Sequence, residues 1–244
     1  MIEIAGKNEE FFVQAYQQMA KCCNLPVIEG DKVKSVLSDF VRIYEDRKVA
    51  DNAGGAGEYP SAWIYLIARL FDPHLIIESG VWKGHTSWLF RMACPHAEIH
   101  SFDISLGQLV CKLDDISYYA KDWMSDDVVT NLAIDDHSLA YFDDHINQCL
   151  RVKQAYDMGF KYILFDDNAP VVNNKYNVGM PACPTLQLLY SDHKYGDRIT
   201  YERKGVSYVY EYQEKDVYDA KKYIKNYYIL PDTQSCVTLV ELVS

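Results

Sequence analysis

Acidic side chains at two places in the chain have the spacing of a cation site. Asp143, Asp144 and His145 follow the apolar run 139–142, and Asp166, Asp167 and Asn168 follow the apolar run 162–165. Both runs are short and rich in aromatic or branched residues, which predicts buried strands. Residues 146–158 between them read as a helix closed by Gly159. One βαβ repeat brings the carboxyl ends of two such strands together, so Asp144 and Asp167 become neighbours at the edge where doubly wound sheets place their sites. Carboxylates crowded into one crevice repel unless a cation sits among them. Oxygen ligands with no nearby cysteine suit a hard ion, Mg2+ first and Ca2+ or Mn2+ behind it. Solvated aspartates at strand-to-loop junctions give the same pattern without a metal. His145 adds a group that ordinarily titrates near ~6.5 and can take a proton at neutral pH. Beside an aspartate it can equally serve only to orient a neighbour.

A second constellation lies upstream. Residues 75–77 predict a strand, Glu78 follows, and Gly80 and Gly84 bracket a tight turn before Thr86 and Ser87, where a helix is capped and begins. Strand, glycine turn and helix N-terminus bring backbone N–H groups close to a ligand. The G-x-x-x-G spacing is not the G-x-G-x-x-G of dinucleotide binders. Residues 98–104, EIHSFDI, predict the next strand. It ends in Asp103 about 25 residues after Glu78, near the ~20 expected of an acid that binds ribose hydroxyls. An acid beside the turn repels a pyrophosphate and pairs with a cation. Glu78, Gly80, Gly84, Ser87 and Asp103 therefore predict a site for a positively charged nucleoside such as S-adenosylmethionine rather than NAD.

The elements that must hold these groups read as one α/β domain over residues 59–244, preceded by a helical cap over residues 1–58. Two amphipathic helices, 8–22 and 31–47, build the cap. It can cover the site, pair with a second copy as a homo-oligomer, or close the sheet. The segment 51–57, DNAGGAG, is a flexible breaker that serves as a loop or a lid hinge. Pro60 suits the first turn of a helix through residue 71. Ser105 caps a predicted short helix to residue 113, and residues 116–119 form a weak strand before Lys121, Asp122 and Trp123. Residues 125–137 read as irregular. Beyond the second acidic cluster come a polar loop (170–184), a helix start (185–190), a hairpin (199–203 with 206–212, turning at Lys204-Gly205), a helix (217–228) and a last strand (236–243).

Bulk properties narrow the partners. With 244 residues and a net charge of -11, at a pI near 5.0, neither a phosphate backbone nor an anionic membrane is an expected partner. The first residues lack the charged-then-apolar pattern of a signal segment, so none is expected, and no apolar run approaches the ~20 residues of a membrane span. The seven cysteines are scattered without a C-x-x-C pair, as in a cytoplasmic protein with reduced thiols.

The pattern E-x-G-x-x-x-G, with Thr86 and Ser87 after it and an acid at the next strand end, resembles class I S-adenosylmethionine-dependent methyltransferases. The D-H after the fourth strand and D-N after the fifth resemble cation-dependent O-methyltransferases of the catechol O-methyltransferase type. Two adjacent acids after the fifth strand are similar to macrocin O-methyltransferases and cephalosporin-hydroxylase-like proteins. The resemblance covers roughly residues 72–170. It implies a Rossmann-like doubly wound, mostly parallel seven-stranded sheet with an N-terminal helical extension. On the first register Asp144, Asp167 and Asn168 would hold the metal, and on the second Asp166 and Asp167. Asp122 would contact the adenine, and Asp144 and His145 would be catalytic. Catechol-type enzymes carry a lysine base three residues after the first metal aspartate. Residue 147 here is asparagine, which leaves His145 as the nearest replacement. The implied reaction is metal-assisted methyl transfer from S-adenosylmethionine to a hydroxyl of a small molecule, of sugar, natural-product or phenol type. Alternatives are a metal-independent methyltransferase with His145 as base and a non-catalytic binding protein that keeps the fold. Oxygenase chemistry ranks last, since no facial triad of two histidines and a carboxylate is evident.

Overall fold

The computed structural model describes residues 4, 9–125, 127–168, 184–203, 206–211, 220–231 and 236–243. Strand β1 (Leu75–Ser79) is buried along its whole length, and a strand of that kind needs a neighbour on each side. It has β2 (Glu98–Asp103) on one side and β4 (Ser138–Phe142) on the other, both parallel to it. Beyond these lie β3 (Ser117–Ala120) and β5 (Tyr162–Phe165), again parallel. Strand β9 (Thr238–Leu242) pairs antiparallel with β5, and β8 (Ile224–Ile229) lies outside it, giving the order β3-β2-β1-β4-β5-β9-β8. This is the mostly parallel seven-stranded sheet that the sequence predicts. The order reverses between β1 and β4, and the carboxyl edge at such a switch point opens a crevice.

Alternate residues of each strand face opposite layers. Ile76, Tyr141, Leu164 and Leu239 pack into one core with α1 (Glu9–Cys22), α2 (Gly30–Glu45), α3 (Glu58–Phe71) and α4 (His85–Ala93). Ile77, Phe142, Phe165 and Val240 pack into the other, with α5 (Asp127–Thr130), α6 (Gln148–Met158) and α7 (Leu186–Leu189). The helices read as an N-terminal cap thus share a core with α3, α4 and the sheet. A two-stranded hairpin, β6 (Arg198–Arg203) and β7 (Val206–Glu211), forms a sheet of its own, and its Ile199 and Tyr210 pack against the second core.

Four local expectations are corrected. Residues 224–228 are strand rather than helix: the sequence IKNYYI carries β-branched and aromatic side chains that suit pairing with β9. That strand takes the edge, so β9 lies inside the sheet. No helix spans 105–113; the amides of Val110 and Cys111 donate to the Lys83 carbonyl at 3.2 and 3.0 Å, which lays this segment on the glycine turn. Helix α4 begins at His85 with Gly84 as its N-cap, so Thr86 and Ser87 lie within its first turn. Residues 127–130 form a short helix inside a stretch read as irregular. The polar loop expected at 170–184, but for its last residue, and the turn Lys204-Gly205 lie outside the described residues. Among the described residues no helix is long and apolar enough to cross a membrane.

Glu78, expected against the ligand, is instead fully buried. It accepts hydrogen bonds from Ser87 Oγ and Ser101 Oγ, each at 2.5 Å. Burial outweighs these two donors and pushes its carboxyl up to about 7.

Two predictions follow from this packing. In the unfolded chain Glu78 ionises near 4.5, whereas in the fold it does so near 7. Its raised value therefore favours the fold fully below pH 4.5, and that contribution is lost as pH rises to about 7. Glu78→Gln stays neutral throughout, so its stability relative to wild type should grow by ~3 kcal/mol between pH 4.5 and 8. Scanning calorimetry across that range checks this, and a difference that stays flat with pH refutes it. The second concerns Gly80, at φ +98, where an added Cβ would overlap the carbonyl of Asp143 and lie 2.9 Å from the Asp144 nitrogen. Gly159 has a similar φ of +91 and nothing within 4 Å. Gly159→Ala should cost only the left-handed strain, ~1 kcal/mol, and Gly80→Ala about 2 kcal/mol more. Urea unfolding of the two variants measures the gap; equal losses would mean that β1 and β4 do not meet tightly.

Candidate active-site cleft

A cleft of about 380 Å³ opens at the carboxyl ends of β1, β2 and β4, with Gly80, Asp103, Asp122, Asp143 and Arg151 in its walls. The turn after β1 forms one wall. Four of its amides are already used: Gly80 N donates to Phe102 O at 2.8 Å, and Gly84 N to Val81 O at 2.8 Å. The amides of Val81 and Trp82 both donate to Asp103 Oδ2, at 2.9 and 3.1 Å. Asp103 Oδ1 accepts from Ser105 N at 2.9 Å. A carboxylate offers about four lone-pair sites, so three amides leave Asp103 room for a further donor on the cleft side. The side chains of Trp82, Ile104 and Ile146 are exposed apolar surfaces along the same cleft. Gly54 brings the 51–57 segment to its rim. That segment is tied down by Trp82 Nε1 donating to Ala53 O at 3.3 Å and Lys83 Nζ to Asp51 O at 2.7 Å.

A buried arginine forms the floor. Arg151, on the first turn of α6, is 2% exposed. Its Nη2 lies 2.5 Å from Asp122 Oδ2 and 2.7 Å from Asp144 Oδ2, and its Nε donates to Asp144 Oδ2 at 2.9 Å. Burial by itself would raise Asp122, but the bonds from Arg151 and the Met124 amide hold its carboxyl below the usual range. Asp144 also accepts from Ser79 Oγ at 2.6 Å and from the Ile146 amide at 3.1 Å.

Beside the floor is a notch of about 10 Å³ whose walls include Asp143, Asp144, His145, Asp166 and Asp167. That is room for about one water-sized sphere or an ion. Ligand atoms of Asp143, His145 and Asp167 all lie within 4.8 Å of one another. Burial, then the carboxylates of Asp166, Asp167 and Asp144, push Asp143 well above the usual carboxylate range. His145 Nε2 lies 3.0 Å from Asp167 Oδ2, and that bond raises its pKa against the opposing effect of burial.

Of the residues predicted for the site, Gly80, Asp103, Asp122, Asp144 and His145 line the cleft. Glu78, Gly84 and Ser87 do not. Gly84 is needed by the chain itself, because a Cβ there would overlap the Cys111 carbonyl. Asp144 borders the notch, but its carboxylate is engaged by Arg151 and Ser79. Asn168 is fully buried and turned away, its Nδ2 donating to Thr238 Oγ1 at 2.9 Å and its Oδ1 accepting from Gln187 N at 3.1 Å. Asp166 lies beneath the notch, 4% exposed, with Oδ1 accepting from the Asp167 amide at 2.9 Å. Asp143, which was not predicted as a ligand, is the acid grouped with His145 and Asp167. Asn147, where a lysine base was absent, is the N-cap of α6 and accepts from Leu150 N at 3.2 Å. Arg151 was missed altogether. A cation in the first turn of a helix opposes the helix dipole, and that oddity was the available signal.

No protein-family model matches the chain, and no curated relative does. Among solved structures it is similar to CmcI in its apo form at 19% identity, covering 46% of this chain and 53% of that one, with a TM-score of 0.40. The chain spans about half the length of the CmcI structures it matches, 52 to 61%. It is similar to the SAH-bound methyltransferase PaMTH1 of Podospora anserina at 15% identity, covering 98% and 97% of the two chains, with a TM-score of 0.47. The O-methyltransferase TomG of Streptomyces achromogenes, solved with SAM, matches at 10% identity over 98% and 100%, with a TM-score of 0.45. The fold itself rests on the strand order.

Proposed function

We propose that this chain transfers a methyl group from S-adenosylmethionine to a hydroxyl oxygen of a small molecule, with a divalent cation, Mg2+ first, in the acidic notch. One observation carries the reading: the amides of Gly80, Val81, Trp82 and Gly84 are taken by Asp103, by the Phe102 carbonyl and by the turn's own Val81 carbonyl, while acids line the cleft. Such a wall repels phosphate and favours a hydroxyl-rich ligand that is cationic. Asp103 supports a ribose there, and the exposed faces of Ile104 and Ile146 offer apolar contact to a flat heterocycle. In the reaction the acceptor oxygen bonds to the methyl carbon as the carbon–sulfur bond breaks, sulfur keeps the electron pair, and the acceptor proton leaves. The chain's part is positioning, since a sulfonium is already a good leaving group.

Asp143, Asp167 and His145 would hold the cation. The notch fits one: its ligand atoms are close enough to share an ion, and a cation among them would offset the burial and the neighbouring charge that push Asp143 up. A bound cation would hold the acceptor hydroxyl and lower its pKa. The His145–Asp167 pair supports a second reading, in which Asp167 orients the imidazole and His145 takes the acceptor proton without metal.

Calorimetry should show S-adenosylhomocysteine binding to wild type and a loss of tenfold or more, ~1.4 kcal/mol, for Asp103→Asn. No binding to wild type would leave a scaffold that keeps the fold. Turnover on a panel of catechol, sugar and other small hydroxyl acceptors should stop with EDTA and return with Mg2+, and Asp143→Asn should abolish the return. Turnover indifferent to EDTA would overturn the metal version and leave His145 as the base.

A further inference from the structure

We propose that Arg151 is the positioning residue of the cleft, a strut that fixes Asp122 at the nucleoside end and Asp144 beside the notch in one arrangement. The inference rests on the methyltransferase reading. Three features single Arg151 out. First, it stands on the opening turn of α6, where the helix dipole disfavours a cation. Helical side chains lean back toward the N-terminus, which carries the guanidinium to the carboxyl edge of the sheet. Second, it is 2% exposed yet lines the cleft. Burying a guanidinium is costly unless its donors are met, and here they are. Nη1 donates to Gln154 Oε1 at 2.8 Å and reaches Asp122 Oδ1 at 3.4 Å, Nη2 serves both acids, and Nε serves Asp144. The ring of Phe142 lies 5.9 Å from the guanidinium carbon.

Third, the two acids come from different parts of the sheet. Asp122 follows β3 and Asp144 follows β4, on opposite sides of β1 and β2. Both line the cleft, and Arg151 joins them. Asp144 in turn anchors the turn that carries Asp143 and His145, through Ser79 Oγ and the Ile146 amide. A displacement of Asp144 would therefore move two of the three groups in the notch. The planar fork of arginine can hold two carboxylates at fixed angles, whereas an ammonium is a single point charge. The nucleoside end and the notch are thereby held in one register, as transfer between two bound groups requires.

The test uses two binding readouts that need no turnover: S-adenosylhomocysteine by calorimetry without metal, and Mn2+ by electron paramagnetic resonance without nucleoside. Arg151→Lys keeps the charge and loses the fork. It should lower both affinities about tenfold or more while the thermal midpoint stays near that of wild type. Asp144→Asn, which retains Arg151, should weaken S-adenosylhomocysteine at least about threefold, and Asp122→Asn should weaken Mn2+ by a similar factor, because each loosens the shared guanidinium. A folded Arg151→Lys with both affinities unchanged overturns the strut. Should Arg151→Lys not fold, the asparagine variants decide: effects confined to each acid's own end overturn it too. Wild type that binds no S-adenosylhomocysteine defeats the methyltransferase reading itself, and the strut with it. Wild type that binds both probes with insensitive variants defeats the strut alone.

Discussion

The end of β1 touches the backbone that leaves β4, and that approach is possible only because residue 80 has no side chain. Asp143 N donates to Ser79 O at 2.8 Å, continuing the ladder in which Ser79 pairs with Phe142. The next residues of both strands then part around Gly80, whose absent Cβ would overlap the carbonyl of Asp143. A bulkier residue would force the strands apart at the switch point, where the crevice begins. The same contact lays Asp144 on Ser79 Oγ and leaves Asp143 facing the notch. One glycine thus sets where the turn, the cleft floor and the acidic notch stand relative to each other.

Seven carboxylates gather around that point, and the fold meets their repulsion in separate ways. Glu78 is buried with two serine hydroxyls and becomes easier to protonate. Asp103 spends its charge on three amides of the adjoining loops. Asp122 and Asp144 share the guanidinium of Arg151. Asp166 takes the Asp167 amide and, at 3.5 Å, the Tyr141 hydroxyl. Asp143 and Asp167 remain beside His145, where burial and neighbouring charge press hardest on Asp143. The place where burial, then neighbouring carboxylates, push Asp143 well up is also a place with room for an ion. That coincidence of charge and space is what a cation would exploit.

The sheet was legible because its strands are marked by short runs that end in turns: 75–77, 139–142 and 162–165 each lie on a strand, and 98–104 overruns β2 by one residue. Helix caps were partly legible. Gly159 closes α6 as its type suggests, yet α4 opens on Gly84 and not on the hydroxyl residues after it. The Tyr-rich segment before Pro231 was misread because its polar residues fit a helix as well as a strand, and only pairing with β9 decides between them. In the site, residue types told which groups gather there but not which way each one points. Asp143 and Asp144 differ by one step along the chain, and a single step leads one to the notch and the other to Arg151. Asn168 carries a ligand-like side chain, but its amide is committed to Thr238 and Gln187. Such choices depend on partners far away in sequence. Glu78 shows the same limit, since its place at a strand end did not disclose that its side chain is enclosed by Ser87 and Ser101.

The backbone at the notch carries a mark of its own. His145 and Asp167 both have positive φ, 57 and 55, in a region that costs a non-glycine residue about 1–3 kcal/mol. Aspartate and histidine tolerate that region better than most residues, so the strain is modest, but it falls just past the ends of two neighbouring strands, three residues after β4 and two after β5. Each of these residues follows an acid whose own carboxylate bonds a nearby amide: Asp144 that of Ile146, and Asp166 that of Asp167. Those bonds are local to each exit, and the His145–Asp167 contact at 3.0 Å joins the two exits. Two ordinary strand ends would relax into separate turns. Here the contact joins the two exits, so Asp143, His145 and Asp167 come together at the notch, and strain of this kind persists where the surrounding bonds over-determine it.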